Sequence, residues 1–406
     1  MNTEQEKTIN LLKTGANVLM LGSAGTGKSF VIEKIKQLLP EKKIFLTSTT
    51  GVSSLNVEGS TFHSFFGIGL GDKPVDKLLA KIRRNPDIVK KLKLENLLVV
   101  VDEVSMLPDE LLTKLDSILR RLRRNFDIPF GGVQLLFSGD FLQLETINAK
   151  NILDNELIKD FSKVILTQNY RQQGDLEFQY LLGRLRINDI TEQDDLTLKK
   201  TAENIVDDNT VRLFCINSKV TNYNTEKFNS IPGEIHKFTA KITGKCDKSL
   251  QELKKQFSSK NVETLELKKG TRVMLTWNID TNSGLVNGST GTVKDFIRNG
   301  VLVSFDKVGD FLVEKQVWTI TDDSERPLAK AEQIPLMVSY ALSIHKCQGI
   351  TLDSAIIDLT AAFCNHQVYV ALSRVRNLSG VKLVNYSKNK IKVNEDILRF
   401  YKSLEK

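Results

Sequence analysis

The stretch NVLMLGSAGTGKSFVIEKIKQLL, residues 17–39, decides the fold. It opens on an apolar run, Val18–Leu21, of the kind that forms a buried strand. GSAGTGKS at 22–29 then reads G-x-x-x-x-G-K-S, and the residues from Phe30 onward recur as apolar positions at helical spacing. Strand, glycine loop and helix is the context a phosphate-binding loop requires. Gly22, Gly25 and Gly27 let the backbone curl, with Thr26 among them, so that successive N–H groups converge on one anion. The helix N-terminus adds partial positive charge. Lys28 reaches the β- and γ-phosphates, and the Ser29 hydroxyl suits Mg²⁺. The expected ligand is a nucleoside triphosphate, ATP, with Mg²⁺.

Bulk properties narrow the remaining classes. A chain of 406 residues has room for two or three domains. Its 41% hydrophobic and 26% charged content is that of a globular protein. Lys and Arg number 57 against 49 acids, a formal charge of +8 that favours a polyanionic partner. Cys215, Cys246, Cys347 and Cys364 lack metal-ligand spacing and read as thiols in a reducing compartment. MNTEQEK lacks the apolar segment of a signal peptide, and LLVVV at 97–101 is too short to span a bilayer. The expected location is cytoplasmic and nucleoid-associated, with no membrane partner.

Strand-like runs alternate with helical stretches through the first half: Val18–Leu21, Ile44–Thr47, Leu97–Val101, Gln134–Ser138 and Lys163–Leu166. That pattern predicts an α/β domain with a sheet covered on both faces. Pro108–Arg124 reads as a helix, with acids in its first turn, one leucine-rich face and arginines at its end. From about Gly233 to Leu328 short runs such as RVMLTW, TGTVKDF and GVLVSFD alternate with glycine turns, predicting an all-β module. Ser354–Asp358 and Val381–Val384 return to α/β character.

VVVDEVSM at 99–106 sets two carboxylates at the end of a buried strand. Beside a P-loop, Asp102 completes the Mg²⁺ shell with Ser29, and Glu103 is placed to deprotonate an attacking water. LLFSGDFLQL at 135–144 offers Gln143, whose amide both donates and accepts, as a sensor of the γ-phosphate. Arg171 in LTQNYRQ and Arg374 in YVALSRVR are cations of the type that stabilises charge at a transferring phosphoryl group. Gln5, just upstream of the first strand, is suited to read an adenine edge. By residue type alone the ordinary reading prevails: Gln143 as an exposed side chain beyond a strand, Arg171 and Arg374 as solvated or salt-bridged cations, and Gln5 with no support of its own.

Assembled in order, these motifs resemble superfamily-one DNA helicases of the petite-integration-frequency (PIF) family. The most specific stretch is DSILRRLRRNFDIPFGGVQLLFSGDFLQL at 116–144. TSTTGVSSLNVEGSTFHSFFGIGLG at 47–71, LTQNYRQ, LVNGSTGTV at 285–293, SIHKCQGITLD at 343–353 and VYVALSRVRNLSGV at 368–381 follow in register. The resemblance implies two RecA-like domains with the nucleotide between them. Residues 1–170 would form the first, with a wedge insertion at about 61–77. Residues 171–232 and 329–406 would form the second, interrupted by an SH3-like β insertion at 233–328. It also implies the roles given above for Lys28, Ser29, Asp102, Glu103, Gln143, Arg171, Arg374 and Gln5. Two departures stand out: Glu145-Thr146 replaces the usual prolines after GDFxQL, which implies a less rigid loop, and Cys347 replaces a serine.

Single-stranded DNA is the implied partner, with single-strand/duplex junctions and replication or repair proteins beside it, bound by a chain monomeric without DNA. A strand needs small polar groups and aromatic platforms. Thr61, His63 and Phe65 in TFHSFF, Asn287 and Ser289, and His345 and Lys346 stand at the matching positions. Phenylalanines in such a cluster are more commonly core. The arginines at 120–121 and 123–124 read equally as DNA-facing or as a solvated helix face. The resemblance implies 5′-to-3′ movement and unwinding of duplexes, DNA–RNA hybrids and G-quadruplexes. Weighed against it are a RecD-like helicase subunit, a non-translocating DNA-dependent ATPase switch, and a P-loop kinase that would leave Arg374 without a task.

Overall fold

Six strands form one wholly parallel sheet: β1 Val18–Gly22, β2 Lys43–Ser48, β3 Ser60–Thr61, β4 Leu97–Asp102, β5 Gln134–Gly139 and β6 Ser162–Leu166. Their order is β3-β2-β4-β5-β1-β6. This computed structural model describes all residues except 50–59, 70, 146–148, 208–209, 245–262, 281–282, 284, 286, 299, 322–326 and 405–406. Much of the motif at 47–71, Thr146, Cys246 and Val286 of LVNGSTGTV therefore lie outside the described residues.

Strands β1, β4 and β5 are buried along their whole length, because both faces of the sheet are covered. Alternation divides their side chains between two cores. Leu19, Leu21, Val99, Val101, Leu135 and Phe137 pack with Leu112, Leu115 and Leu119 of the helix Asp109–Arg123. Val18, Met20, Val100 and Leu136 pack on the other face with Val31, Ile32 and Ile35 of the helix Lys28–Leu38. Leu21 pairs with Gly139, and Ser48 with Asp102, so the P-loop, Asp102 and the GDFLQL segment emerge at the carboxyl end of the sheet.

The stretch after Asp109–Arg123 has a steric explanation. Arg124 ends the helix in the left-handed region at φ 54°. Phe130 is fully buried and donates its backbone N–H to Asp116 Oδ1 at 2.5 Å. A Cβ on Gly131 would meet the Leu119 carbonyl oxygen at 2.6 Å, so glycine alone allows this close approach. Arg123 donates to the Gly131 and Leu92 carbonyls, each at 2.8 Å, and Arg120 pairs with Asp116. Two of the arginines left open by the sequence thus pin their own helix and turn.

The chain divides into two compact units. The first comprises Met1–Asp195, Phe363–Ser373 and Ser387–Lys406; the second comprises Leu196–Ala362 and Arg374–Tyr386. Residues 171–195, 363–373 and 387–406, expected with the second domain, group here with the first: Ile397 and Tyr401 of the helix Glu395–Leu404 are part of its core. In the second unit Ala341–Ser343, Arg212–Phe214, Ala355–Asp358 and Val381–Val384 form a four-stranded parallel sheet. Between the chain segments that build it lies an antiparallel β-rich stretch. Its five-stranded sheet runs Gly309–Glu314, Gly300–Phe305, Thr290–Ile297, Arg272–Leu275 and Leu336–Val338. The last strand extends this stretch past the expected limit of Leu328, because it pairs with Arg272–Leu275.

Candidate nucleotide site

Gly25 and Gly27 both hold φ 85°, in the left-handed region that only glycine enters without penalty. Their surroundings are crowded. A Cβ on Gly25 would meet Arg171 Cβ and Asn169 Oδ1, each at 2.7 Å, and one on Gly27 would meet Gln5 Nε2 at 2.7 Å. The loop is thus bracketed by Gln5 on one side and Arg171 on the other. Tyr170 N–H donates to the Gly25 carbonyl at 2.8 Å, and Ala24 N–H donates to the Tyr369 hydroxyl at 3.2 Å. Lys28 Nζ sits within the curl, donating to the carbonyls of Gly22 at 2.6 Å and Ser23 at 3.0 Å.

Asp102 is 7% exposed, and burial raises its carboxyl pKa, while the Ser138 hydroxyl and the Lys28 charge oppose the rise. Glu103 follows in the left-handed region at φ 53°, its carbonyl held by Thr49 Oγ1 at 2.7 Å. Gln143 is buried and donates from Nε2 to Asp140 Oδ2 at 3.3 Å. Arg171 donates from Nη1 to the Ser373 carbonyl at 2.9 Å. Among the described residues no group of three or more His, Cys, Asp or Glu forms a metal cage. Asp102, a buried carboxylate, and Ser29, an exposed hydroxyl, are oxygen donors of the kind that suits a Mg²⁺ held largely by substrate phosphates. The residues fit a nucleotide with its magnesium.

The first unit therefore brings together Gln5, the loop from Gly22 to Ser29, Asp102, Glu103, Gln143 and Arg171. Arg374 belongs to the second unit, where it is 2% exposed and its carbonyl accepts the Leu352 N–H.

The strand-facing candidates are less uniform. Phe65 is 3% exposed and packs its ring 5.2 Å from Phe45 and 4.9 Å from Phe66, so the expectation that it faces a strand is corrected to a core role. Thr61 caps the short helix Phe62–Phe65, and His63 is half-buried, which lowers its pKa. In the second unit a Cβ on Gly288 would meet Ile350 Cγ2 at 2.7 Å, which sets Asn287 and Ser289 beside the segment carrying His345 and Lys346. Cys347 is fully buried and donates Sγ to the Ile344 carbonyl at 3.1 Å, so its thiol faces inward.

Sequence reading missed Asp140, Arg186, Tyr369 and Tyr401. Asp140 lay inside a quoted motif, but its partners Arg186 and Tyr401 carry no local pattern. At Glu145, where the resemblance expects a proline, the carboxylate accepts from Asn394 Nδ2 at 2.8 Å and Asn365 Nδ2 at 3.3 Å.

A P-loop after a buried strand, with an acid and a glutamine on neighbouring strand ends, defines a P-loop nucleotide-binding protein. A family model described as PIF1-like helicase matches residues 1–181, and one described as DNA helicase Pif1, 2B domain, matches residues 252–296. The ATP-dependent DNA helicase Pif1 of Bdellovibrio bacteriovorus is 32% identical, covering 100% of this chain and 92% of its own. The ATP-dependent DNA helicase PIF1 of Danio rerio is 34% identical over 100% of this chain, which spans 64% of that protein. Among solved structures, Bacteroides Pif1 with ADP-AlF4 has a TM-score of 0.86 at 28% identity, covering 100% of this chain and 97% of that one. The Bacteroides helicase with ADP-AlF3 and single-stranded DNA has a TM-score of 0.66 at 27% identity, with the same coverage of 100% and 97%. The chain belongs to the PIF1-like helicase family, and it shares the RecA-like α/β fold of these helicases.

Proposed function

We propose that this chain is an ATP-driven DNA helicase that moves 5′ to 3′ along single-stranded DNA and opens the duplex, DNA–RNA hybrid or G-quadruplex ahead of it. The observation that carries the reading is the set of groups around one P-loop: Lys28 in its curl, Asp102 and Gln143 at adjoining strand ends, Gln5 and Arg171 at its rims. Family membership and the relatives solved with nucleotide and single-stranded DNA support it.

In this reading Gln5 takes the adenine edge and the backbone from Gly22 to Ser29 takes the phosphates. Lys28 holds the β- and γ-oxygens. Ser29 and Asp102 would hold Mg²⁺, which when bound would supply neutralisation of the phosphate charge. Glu103 takes a proton from the attacking water, Gln143 senses the γ-phosphate, and Arg171 and Arg374 stabilise the charge that develops there. Thr61, His63, Asn287, Ser289, His345 and Lys346 serve the DNA strand. The protein is cytoplasmic and nucleoid-associated, a monomer in the absence of DNA, and works on single-strand/duplex junctions alongside replication or repair proteins.

The test is ATP hydrolysis with and without single-stranded DNA, run beside separation of duplexes carrying a 5′ or a 3′ tail. Strong DNA stimulation with only the 5′-tailed duplex opened is the expected result. Hydrolysis indifferent to DNA, with neither duplex opened, overturns the helicase reading.

A further inference from the structure

The loop that carries Gln143 is tied at both ends to the C-terminal part of the chain. At its start, Asp140 is 1% exposed and accepts from Arg186 Nη2 at 2.7 Å and Nε at 3.1 Å. The same carboxylate accepts the Tyr401 hydroxyl at 2.9 Å and, on its other oxygen, the Gln143 amide at 3.3 Å. Tyr401 returns the connection by accepting the Phe141 N–H at 3.2 Å, and the Arg186 guanidinium lies 4.7 Å from the centre of its ring. At the loop's end, Glu145 receives Asn365 and Asn394, with His366 Nε2 at 3.5 Å. His366 is buried and neutral, its pKa pushed down to about 4, and Nε2 accepts the Asn394 N–H at 3.2 Å; it packs against Glu145 and forms no ion pair.

We propose that Tyr401 and Glu145 are positioning residues for Gln143, fixing the direction of its amide from the two ends of the loop. The inference rests on the reading of Gln143 as the γ-phosphate sensor. The chemistry favours orientation over stability. An aspartate engaged by a guanidinium, a phenol, the Leu142 N–H at 3.1 Å and the Gln143 amide holds that amide in one retained direction, because each acceptor site on the carboxylate is taken. Glu145 is 22% exposed at its side chain, and its partners Asn365 and Asn394 are neutral amides, so these contacts fix direction and not charge. Asp140 also feels the charge of Lys28, which places this network next to the phosphate loop.

The test is steady-state ATP hydrolysis by the full chain, saturated with oligo-dT, for Tyr401→Phe, Glu145→Ala, Glu145→Gln and Gln143→Ala. The Tyr401 and Glu145 variants are also made in the Gln143→Ala background. Positioning predicts that kcat falls by about fivefold or more in Tyr401→Phe and Glu145→Ala while KM for ATP moves less than about twofold. In the Gln143→Ala background the same changes should cost nothing further. Unaltered kcat in the single variants, or equal losses in both backgrounds, overturns the inference. If Tyr401→Phe fails to fold, the Glu145 pair decides by the same criterion. A parent protein without DNA-stimulated hydrolysis would overturn the functional reading itself; a normal parent with normal variants overturns the inference alone.

Discussion

The Gln5 side-chain oxygen accepts the Asn2 backbone N–H at 3.1 Å, closing a capping box at the start of the helix Thr3–Lys13 and turning the amide nitrogen toward Gly27. One face of the amide is spent on folding, and only its N–H₂ remains for a base. Gln5→Glu keeps the cap and removes the donor, so KM for ATP should rise by about tenfold and the preference for ATP over GTP should shrink, as measured with both nucleotides. Equal KM values for the variant and the parent would take Gln5 out of the adenine site. Glu103→Gln should cut turnover by about 10²-fold or more while leaving ATP and DNA binding intact, read by nucleotide and oligonucleotide titrations. Asp140 carries a pH dependence of known sign. Its pKa is lowered from 3.8 to about 2, mainly because Arg186 overcomes the cost of burial. A depressed folded-state pKa gives stability that is present above the unfolded value and is lost as pH falls through the folded one. That contribution is of order 2 kcal/mol. Asp140→Asn leaves Arg186 buried without its partner and should cost about 3–5 kcal/mol at neutral pH. The gap between the two proteins in denaturant titrations should narrow as pH falls from about 4 toward 2.

Strands buried on both faces are nearly continuous apolar runs, which is why β1, β4 and β5 were legible in the sequence to within a residue; β2 and β6, buried in part, keep enough of such a run to be read as closely. The strand pieces Ser60–Thr61, Arg212–Phe214 and Ala341–Ser343 were not, since two or three residues carry no period. The candidate site was legible where chemistry and motif coincide locally, from Lys28 to Ser29 and at Asp102. It was illegible where it depends on distant pairs: Tyr401 meets Asp140 across 261 positions, and no local pattern announces that. Phe65 shows the opposite error, a residue type suited to stacking that the fold spends on its core. The turn after Asp109–Arg123 offers a test of the steric account. Gly131→Ala meets both a positive φ of 62° and the Leu119 carbonyl, whereas Gly15→Ala meets a positive φ of 86° in open space. Gly15→Ala should cost about 1 kcal/mol, the left-handed penalty alone. Gly131→Ala should cost clearly more, about 2–4 kcal/mol, with denaturant midpoints as the measure. Equal midpoints would mean that the turn yields readily.

At the scale of the whole molecule, an excess of 57 basic over 49 acidic residues supplies a general attraction for nucleic acid but does not say which groups meet its phosphates. Salt dependence separates them. Each phosphate neutralised on a single strand contributes about −0.7 to the slope of log K against log salt concentration. Lys346 is a half-exposed cation, and Lys346→Ala should weaken binding of single-stranded DNA and make that slope shallower by about 0.7. His345 is its neighbour but differs in charge: burial lowers its pKa from 6.5, so at neutral pH the ring is uncharged. His345→Asn should therefore weaken binding without changing the slope. Either substitution should reduce DNA-stimulated hydrolysis far more than affinity for ATP, since neither residue is among the groups assigned to the nucleotide. Fluorescence anisotropy of a labelled oligo-dT across a salt series distinguishes the two residues directly. A Lys346 variant with weakened binding and an unaltered slope would place that ammonium away from the backbone and assign its effect to the shape of the loop.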